Sequence, residues 1–381
     1  MTSSFDERKV LFTASTYSHI EHFHLPYLRQ FQSLGWEVHI ACGDGPVQAP
    51  FTDKSFNLPF QKKMTSPENF RASGMLRRII RSEGYGLITT HTSLAAFFTR
   101  LAVKGMRDRP RLINVVHGYL FDGDTPVLKR NLLLNAERLT APETDLLLTM
   151  NRYDYELAKR YRLGREIDII PGIGVDFSRL EGDWENDADI SRAALGILPE
   201  AFVLIYAAEF SGRKSQDVLI RAMTYLPEET VLVLCGDGGE LSRCMELAGG
   251  LGLGERVLFP GRVENVAAWY RIADVAVTAS RSEGLPFNVM EAMYLGLPVV
   301  ASRVKGHTDL IDDGSTGLLY DYGDARMCAD RVRMLIEDTE LRRRIGGQAA
   351  GSVAQFGIDS VLPVAAAYYG AAADTPVRAL R

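Results

Sequence analysis

Cysteine is scarce in this sequence: four residues in 381, at positions 42, 235, 244 and 328, with no CxxC spacing and no histidine at ligand spacing. That argues against a disulfide scaffold or a structural zinc site and for a reducing compartment. No apolar run approaches the roughly 18–20 residues that cross a bilayer. The opening ten residues carry two acids and no long apolar segment, so no secretory signal is expected and the chain is read as cytoplasmic. Tandem repeats and low-complexity tracts are absent. The charged fraction, 24%, is ordinary for a globular protein and speaks against wholesale disorder. What is present is 381 residues, 46% hydrophobic, enough for two or three domains of about 150 residues, each with its own core.

The net charge of −5 hides an asymmetry. Residues 1–180 hold 24 Lys and Arg against 19 Asp and Glu, a balance of +5; residues 181–381 hold 19 against 29, a balance of −10. Opposite signs suggest two domains with different partners. A basic half suits nucleic acid, anionic lipid or a phosphorylated substrate, and charge alone does not choose. Nucleic acid is disfavoured because no aromatic–basic interleaving accompanies the charge.

Short apolar runs alternate with helical patterns throughout. Strands are read at 10–14, 37–42, 86–90, 111–116, 145–150 and 167–170, with helices near 22–34, 70–82, 93–104, 126–139 and 151–162. The second half repeats the grammar, with strands at 203–207, 231–235, 256–259, 274–278 and 298–301. Its helices fall near 215–225, 239–249, 264–272, 287–295, 324–337 and 339–353. Runs of four to six apolar residues read as strands buried on both faces, and their alternation with helices implies parallel, doubly wound sheets. A Pro/Gly-punctuated join at 171–177, running into the acidic stretch 181–189, marks a linker. The expectation is two Rossmann-like α/β domains facing across a cleft, the first over 1–171 and completed by a C-terminal helix from about 357, the second over 172–356. Ligands are expected at the carboxyl ends of the strands.

The richest segment runs from Ser280 to Ser302 and contains Glu283-Gly284-Leu285-Pro286-Phe287-Asn288 and, eight residues after Glu283, Glu291. A strand enters a Gly/Pro loop and then a helix beginning near Pro286. The free N–H groups and the dipole of that helix start suit a diphosphate. Glu283 on the loop and Glu291 on the helix can accept hydrogen bonds from sugar or ribose hydroxyls, although each could also be a solvated glutamate. His117 follows a buried strand and precedes Gly118, which places it at a strand's carboxyl end. His19, His22 and His24 cluster after the first strand, without a dependable metal spacing. Cys235-Gly236-Asp237-Gly238-Gly239 lacks the third glycine of a dinucleotide fingerprint, so Gly236 and Gly238 are read as loop-shaping. Along 69–81, Arg71, Arg77, Arg78 and Arg81 flank Leu76, Ile79 and Ile80 on one helical face. Such a helix can rest on an anionic leaflet or simply cover its own core.

The segment from Glu283 to Glu291 closely resembles the E-x7-E motif of the retaining family 4 glycosyltransferases, whose GT-B fold is two facing Rossmann-like domains. His22-Phe23-His24-Leu25-Pro26, Val116-His117-Gly118, Ile170-Pro171-Gly172, Lys305-Gly306-His307 and Asp313-Gly314 follow in the expected order. Their details resemble the branch that assembles capsular and exopolysaccharide repeat units. The resemblance covers nearly the whole chain. It implies a retaining, metal-independent transfer of a hexose or N-acetylhexosamine from a nucleotide sugar, UDP-linked, without cofactor. The implied acceptor is an undecaprenyl-diphosphate-type lipid-linked glycan at the inner face of the cytoplasmic membrane, with peripheral contact to the anionic leaflet.

The resemblance further implies that Glu283 stands beside the donor sugar, that Glu291 holds the ribose hydroxyls, and that the backbone from Leu285 to Asn288, next to Gly284, holds the diphosphate. Lys214 matches the lysine that neutralises the donor diphosphate. His117 contacts donor sugar or acceptor at the reacting centre, His19 or His24 lies near the acceptor, and Gly236 lies near the nucleotide. The family's usual arginine, five positions before the lysine, is Glu209 here; either Arg213 substitutes or the second cation is dispensed with. Two other readings stay open: a nucleotide-sugar 2-epimerase of the same fold, and a non-catalytic nucleotide-sugar-binding subunit.

Overall fold

The computed structural model describes residues 6–46, 48–181 and 190–374; the acidic linker beyond residue 181 and the basic tail at 378–381 lie outside the described residues. The chain forms two compact units, Met1–Ile173 with Val361–Arg381, and Gly174–Ser360.

The first unit carries seven parallel strands: β1 (Asp6–Thr16), β2 (Glu37–Gly43), β3 (Lys54–Asn57), β4 (Tyr85–His91), β5 (Arg111–Val116), β6 (Leu146–Thr149) and β7 (Glu166–Ile169). The second carries six: β8 (Phe202–Ala207), β9 (Thr230–Cys235), β10 (Val257–Gly261), β11 (Val275–Thr278), β12 (Val299–Ser302) and β13 (Leu318–Tyr320). Their orders are β3-β2-β1-β4-β5-β6-β7 and β10-β9-β8-β11-β12-β13. Parallel neighbours need crossover connections, here mostly helical, and these cover the faces of each sheet. In β8, Val203 and Ile205 belong to the core on one face while Leu204 and Tyr206 belong to the core on the other. Each sheet reverses its winding at one point, between β1 and β4 and between β8 and β11. Loops leaving such a switch point diverge, which opens a crevice at the carboxyl ends of the strands.

The strands expected from apolar runs are all present. Two edge strands carry too little signal to be read. β3 is half-exposed and has no apolar run, and β13 is three residues long. The helix expected over 22–34 is two helices, Tyr17–Phe23 and Leu25–Ser33, broken at His24 (φ −120°, ψ −6°). Pro26 lacks an N–H and cannot continue a helix from the preceding turn, but it fits the first turn of a new one.

In the helix Pro67–Glu83 the apolar stripe covers its own core, the second of the two readings the sequence left open. Leu76 and Ile80 are fully buried in the core of the first unit. Arg77 donates to the carbonyls of Ala102 and Lys104, both at 2.8 Å, closing the end of the helix Ser93–Val103. The C-terminal helix Ile358–Asp374 brings the Tyr369 ring against Tyr27 and Phe31, and Tyr368 donates to Asp168 at 2.6 Å. No helix among the described residues is long and apolar enough to cross a membrane.

Candidate functional site

In the second unit, the loops after β8, β11 and β12 converge at the switch point. The centre is Glu283, which is 7% exposed. Lys214 Nζ donates to its Oε1 and Arg213 Nη1 to its Oε2, each at 2.7 Å. Burial alone would raise this carboxyl; Lys214, Arg213 and His307 outweigh it and hold the group down at about 2. The loop carrying the cations is itself fixed. Arg281 N–H donates to the Arg213 carbonyl at 2.8 Å, and Ser215 takes a left-handed conformation (φ 49°) that turns the chain into the helix Gln216–Ala222.

The loop after β12 presses on Glu283 from the other side. Gly306 sits at φ 82°, and a Cβ there would lie 2.8 Å from the Gly284 carbonyl and 2.9 Å from Glu283 Cβ, so only glycine allows this approach. Behind it, Ser302 Oγ donates to the Ser280 carbonyl at 2.6 Å and Tyr206 Oη lies 2.8 Å from Ser280 Oγ. His307 is fully buried, and its Nδ1–H donates to the Ser302 carbonyl at 2.8 Å.

Pro286 precedes the helix Phe287–Tyr294, and no side chain caps that helix start. Gly284 and Pro286 are buried, whereas Leu285, Phe287, Asn288 and Glu291 are half-buried. Asn288 is anchored by its Nδ2, which donates to the Ala207 carbonyl at 3.0 Å, and by its own carbonyl, which accepts from Tyr270 Oη at 3.0 Å. Burial pushes the Glu291 carboxyl above its ordinary range while Arg179 pulls it back. Gly236 (φ 139°) and Gly238 (φ 149°) lie against the chain after β8; a Cβ on either would meet the carbonyl of Ala208 at 2.1 Å or of Phe210 at 2.2 Å. Their role in shaping this loop is thereby explained. Glu209 is exposed and contributes its carbonyl to Gln216, while Arg213 supplies a second cation beside Lys214.

In the first unit the corresponding switch point gathers imidazoles. His19 and His24 follow β1, His91 closes β4 and His117 follows β5. Ring centroids lie 3.8 Å apart for His24 and His91, 4.6 Å for His19 and His117, and 5.2 Å for His19 and His24. His22, expected with them, is exposed and turned to the Ser18 carbonyl at 2.7 Å. His91 and His307 had no assigned role in the sequence; the signal that singled out His117, a histidine at the end of a buried strand, applies equally to His91. Burial keeps the four clustered imidazoles neutral, lowering His19 to about 4 and His24, His91 and His117 well below the ordinary value.

Two doubly wound units, each with polar groups at its switch point, define a GT-B architecture. Residues 27–179 match Glycosyltransferase Family 4 and residues 187–351 match Glycosyl transferases group 1. A putative glycosyltransferase EpsD of Bacillus subtilis (strain 168) is 32% identical over 354 residues, 92% of this chain and 93% of that protein. A D-inositol 3-phosphate glycosyltransferase of Xylanimonas cellulosilytica is 30% identical over 307 residues, 75% of this chain and 72% of that protein. Among solved structures, Anabaena HepE in complex with UDP and glucose has a TM-score of 0.79 at 20% identity, covering 96% of this chain and 100% of its own. The chain belongs to the family 4 glycosyltransferases.

Proposed function

We propose that this protein is a retaining transferase that moves a hexose or N-acetylhexosamine from a UDP-sugar to a hydroxyl of a lipid-diphosphate-linked glycan in capsule or exopolysaccharide assembly. The observation that carries the reading is the convergence of Lys214 and Arg213 on Glu283 beside the uncapped start of the helix Phe287–Tyr294. Cations and a helix N-terminus together stabilise the charge that builds on a departing nucleoside diphosphate, with no metal required at that step. Glu283 stands beside the donor sugar, and Glu291 accepts from the ribose hydroxyls. Gly284 and the backbone from Leu285 to Asn288 hold the diphosphate, and Gly236 keeps the neighbouring loop open to the nucleotide. In the step itself the anomeric carbon–phosphate oxygen bond breaks and the acceptor oxygen bonds the same face of that carbon. The acceptor proton passes to the donor phosphate. His117, with His19 and His24, serves the acceptor side. HepE, of like fold, binds UDP, which agrees with a uridine donor.

The test is a panel of UDP- and GDP-sugars in the presence of chelator. One UDP-sugar at 100 times its Kd should raise the thermal midpoint by about 5–10 °C. Glu291→Ala should raise the donor Kd by roughly 10- to 100-fold, the cost of a charged hydrogen bond. A new sugar nucleotide formed from donor alone would instead mark an epimerase. Binding with neither transfer nor donor hydrolysis would mark a silent subunit.

Placement at the inner face of the cytoplasmic membrane rests on a surface the sequence did not reveal. On the helix Val127–Thr140, Leu128, Leu132 and Leu139 share a face and are exposed, Leu128 by 86%. Leu120 and Val127, just before and at the start of this helix, are also exposed, and Lys129, Arg130 and Arg138 lie on the same helix. Apolar side chains between cations suit an anionic bilayer surface. Replacing Leu128 and Leu132 together by Glu should lower co-sedimentation with anionic vesicles by about tenfold or more. Unchanged partitioning would remove this helix as the contact.

A further inference from the structure

We propose that His19, His24 and His117 form a three-imidazole site for a divalent transition ion of the zinc class, with a fourth position open to an oxygen ligand. Each offers one ring nitrogen, and the three nitrogens lie within 4.8 Å of one another. A tetrahedral zinc ion holds its nitrogens about 3.3–3.5 Å apart, so binding draws the rings together by about an ångström. The second observation is independent of that spacing. The Nε2 atoms of His19 and His24 are buried and have no hydrogen-bond partner, and His24 is only 1% exposed. Buried polar atoms are ordinarily paired, and two orphaned nitrogens on neighbouring rings are accounted for by a shared ligand.

The surroundings supply an outer shell. His117 Nε2 lies 3.2 Å from His91 Nδ1, and His91 Nε2 lies 3.1 Å from Thr89 Oγ1. With His117 ligating through Nδ1, its Nε2–H donates to His91, whose own Nε2–H donates to Thr89. Outer partners of this kind fix the tautomer and orientation of a ligating histidine. Burial and the neighbouring imidazoles keep the rings unprotonated, the form that ligates. An all-imidazole set suits zinc, cobalt, nickel or copper and not magnesium or calcium, which take oxygen. The other cluster of possible ligands among the described residues, Glu37, His39 and Glu83, is already engaged by Lys9 and Lys54 at 2.9 and 2.7 Å and serves as a control.

Zinc binding is measured on the untagged full chain, stripped with chelator and titrated against a chromogenic competitor, with neither donor nor acceptor present. The result therefore stands or falls separately from the transferase reading. One equivalent is expected, weakened more than about 100-fold by His19→Ala and roughly 10- to 100-fold by His91→Gln. The exposed His22→Ala and the distant His39→Gln should leave it unchanged. Cobalt(II) in the same site should show the intense visible bands of tetrahedral coordination. Less than a tenth of an equivalent on the unmutated chain at about 10 μM free zinc overturns the proposal. So does binding that survives His19→Ala or is lost in His39→Gln.

Discussion

Replacing Lys214 by Met should lower kcat by roughly 10²–10³, the usual cost of removing one preorganised group that stabilises charge in a transition state. Lys214 is half-buried, and its ammonium is held at 2.7 Å from Glu283, so in the proposed reaction it would need no movement to meet a departing diphosphate. The same substitution strips one of two cationic partners from a buried carboxylate and leaves Arg213 in place, so it should cost less than the about 3–5 kcal/mol of a fully broken buried pair. The two effects are separable. Combining Lys214→Met with Glu283→Gln removes the under-compensated charge and should recover part of the thermal midpoint, yet it should not restore turnover. A single variant with kcat within threefold of the parent, or a double variant that regains activity, would sink the assignment of Lys214 to the leaving group.

Stability should fall steeply as the pH drops below about 6.5 in the presence of chelator. His19, His24, His91 and His117 all have native values below the ordinary 6.5, that of His19 at about 4, with burial as the main cause. The unfolded chain therefore takes up protons that the native state refuses. The stability contributed by the neutral cluster is complete above 6.5 and is lost progressively below it. Four such groups set a limiting slope of about 5 kcal/mol per pH unit, a large fraction of the roughly 5–15 kcal/mol that holds a typical protein folded. Glu283 acts in a lower window. Its carboxyl, held at about 2 against an ordinary 4.5, contributes about 3 kcal/mol that persists above 4.5 and disappears as the pH falls through 2. Urea midpoints at pH 7.5, 6.5 and 5.5 measure the first effect, and a flat profile over that range would contradict it.

The two-unit α/β architecture was legible because parallel strands buried on both faces leave uninterrupted apolar runs such as 203–207 and 146–148. Glu283 and Glu291 were legible because a strand–loop–helix step advertises its turn chemistry locally through Gly284 and Pro286, whereas Lys214 and Arg213 were singled out only through the resemblance to the family. β3 and β13 were not, since an edge strand satisfied on one side needs neither length nor a continuous apolar run. The apolar face of 69–81 was visible as a stripe, but periodicity cannot say whether a stripe faces a core or a membrane. Packing of Leu76 and Ile80 decided that, and left Leu128 and Leu132 outside instead.

The imidazole cluster shows the division most clearly. Sequence proximity grouped His19 with His22 and His24, as neighbours in one segment. The break at His24, imposed by Pro26, turns His22 to solvent and swings His19 and His24 together. The order of the sheet, with β1, β4 and β5 as successive neighbours, then delivers His91 and His117 from residues some seventy to a hundred positions away. The amino-acid sequence by itself determined the apolar strands and their winding, because each is written in adjacent residues; the meeting of Lys214 and Arg213 with Glu283, about seventy positions away, was not. Which distant side chains share a buried space was decided only by the tertiary structure, since that depends on strand order, and strand order is set by how whole sheets pack.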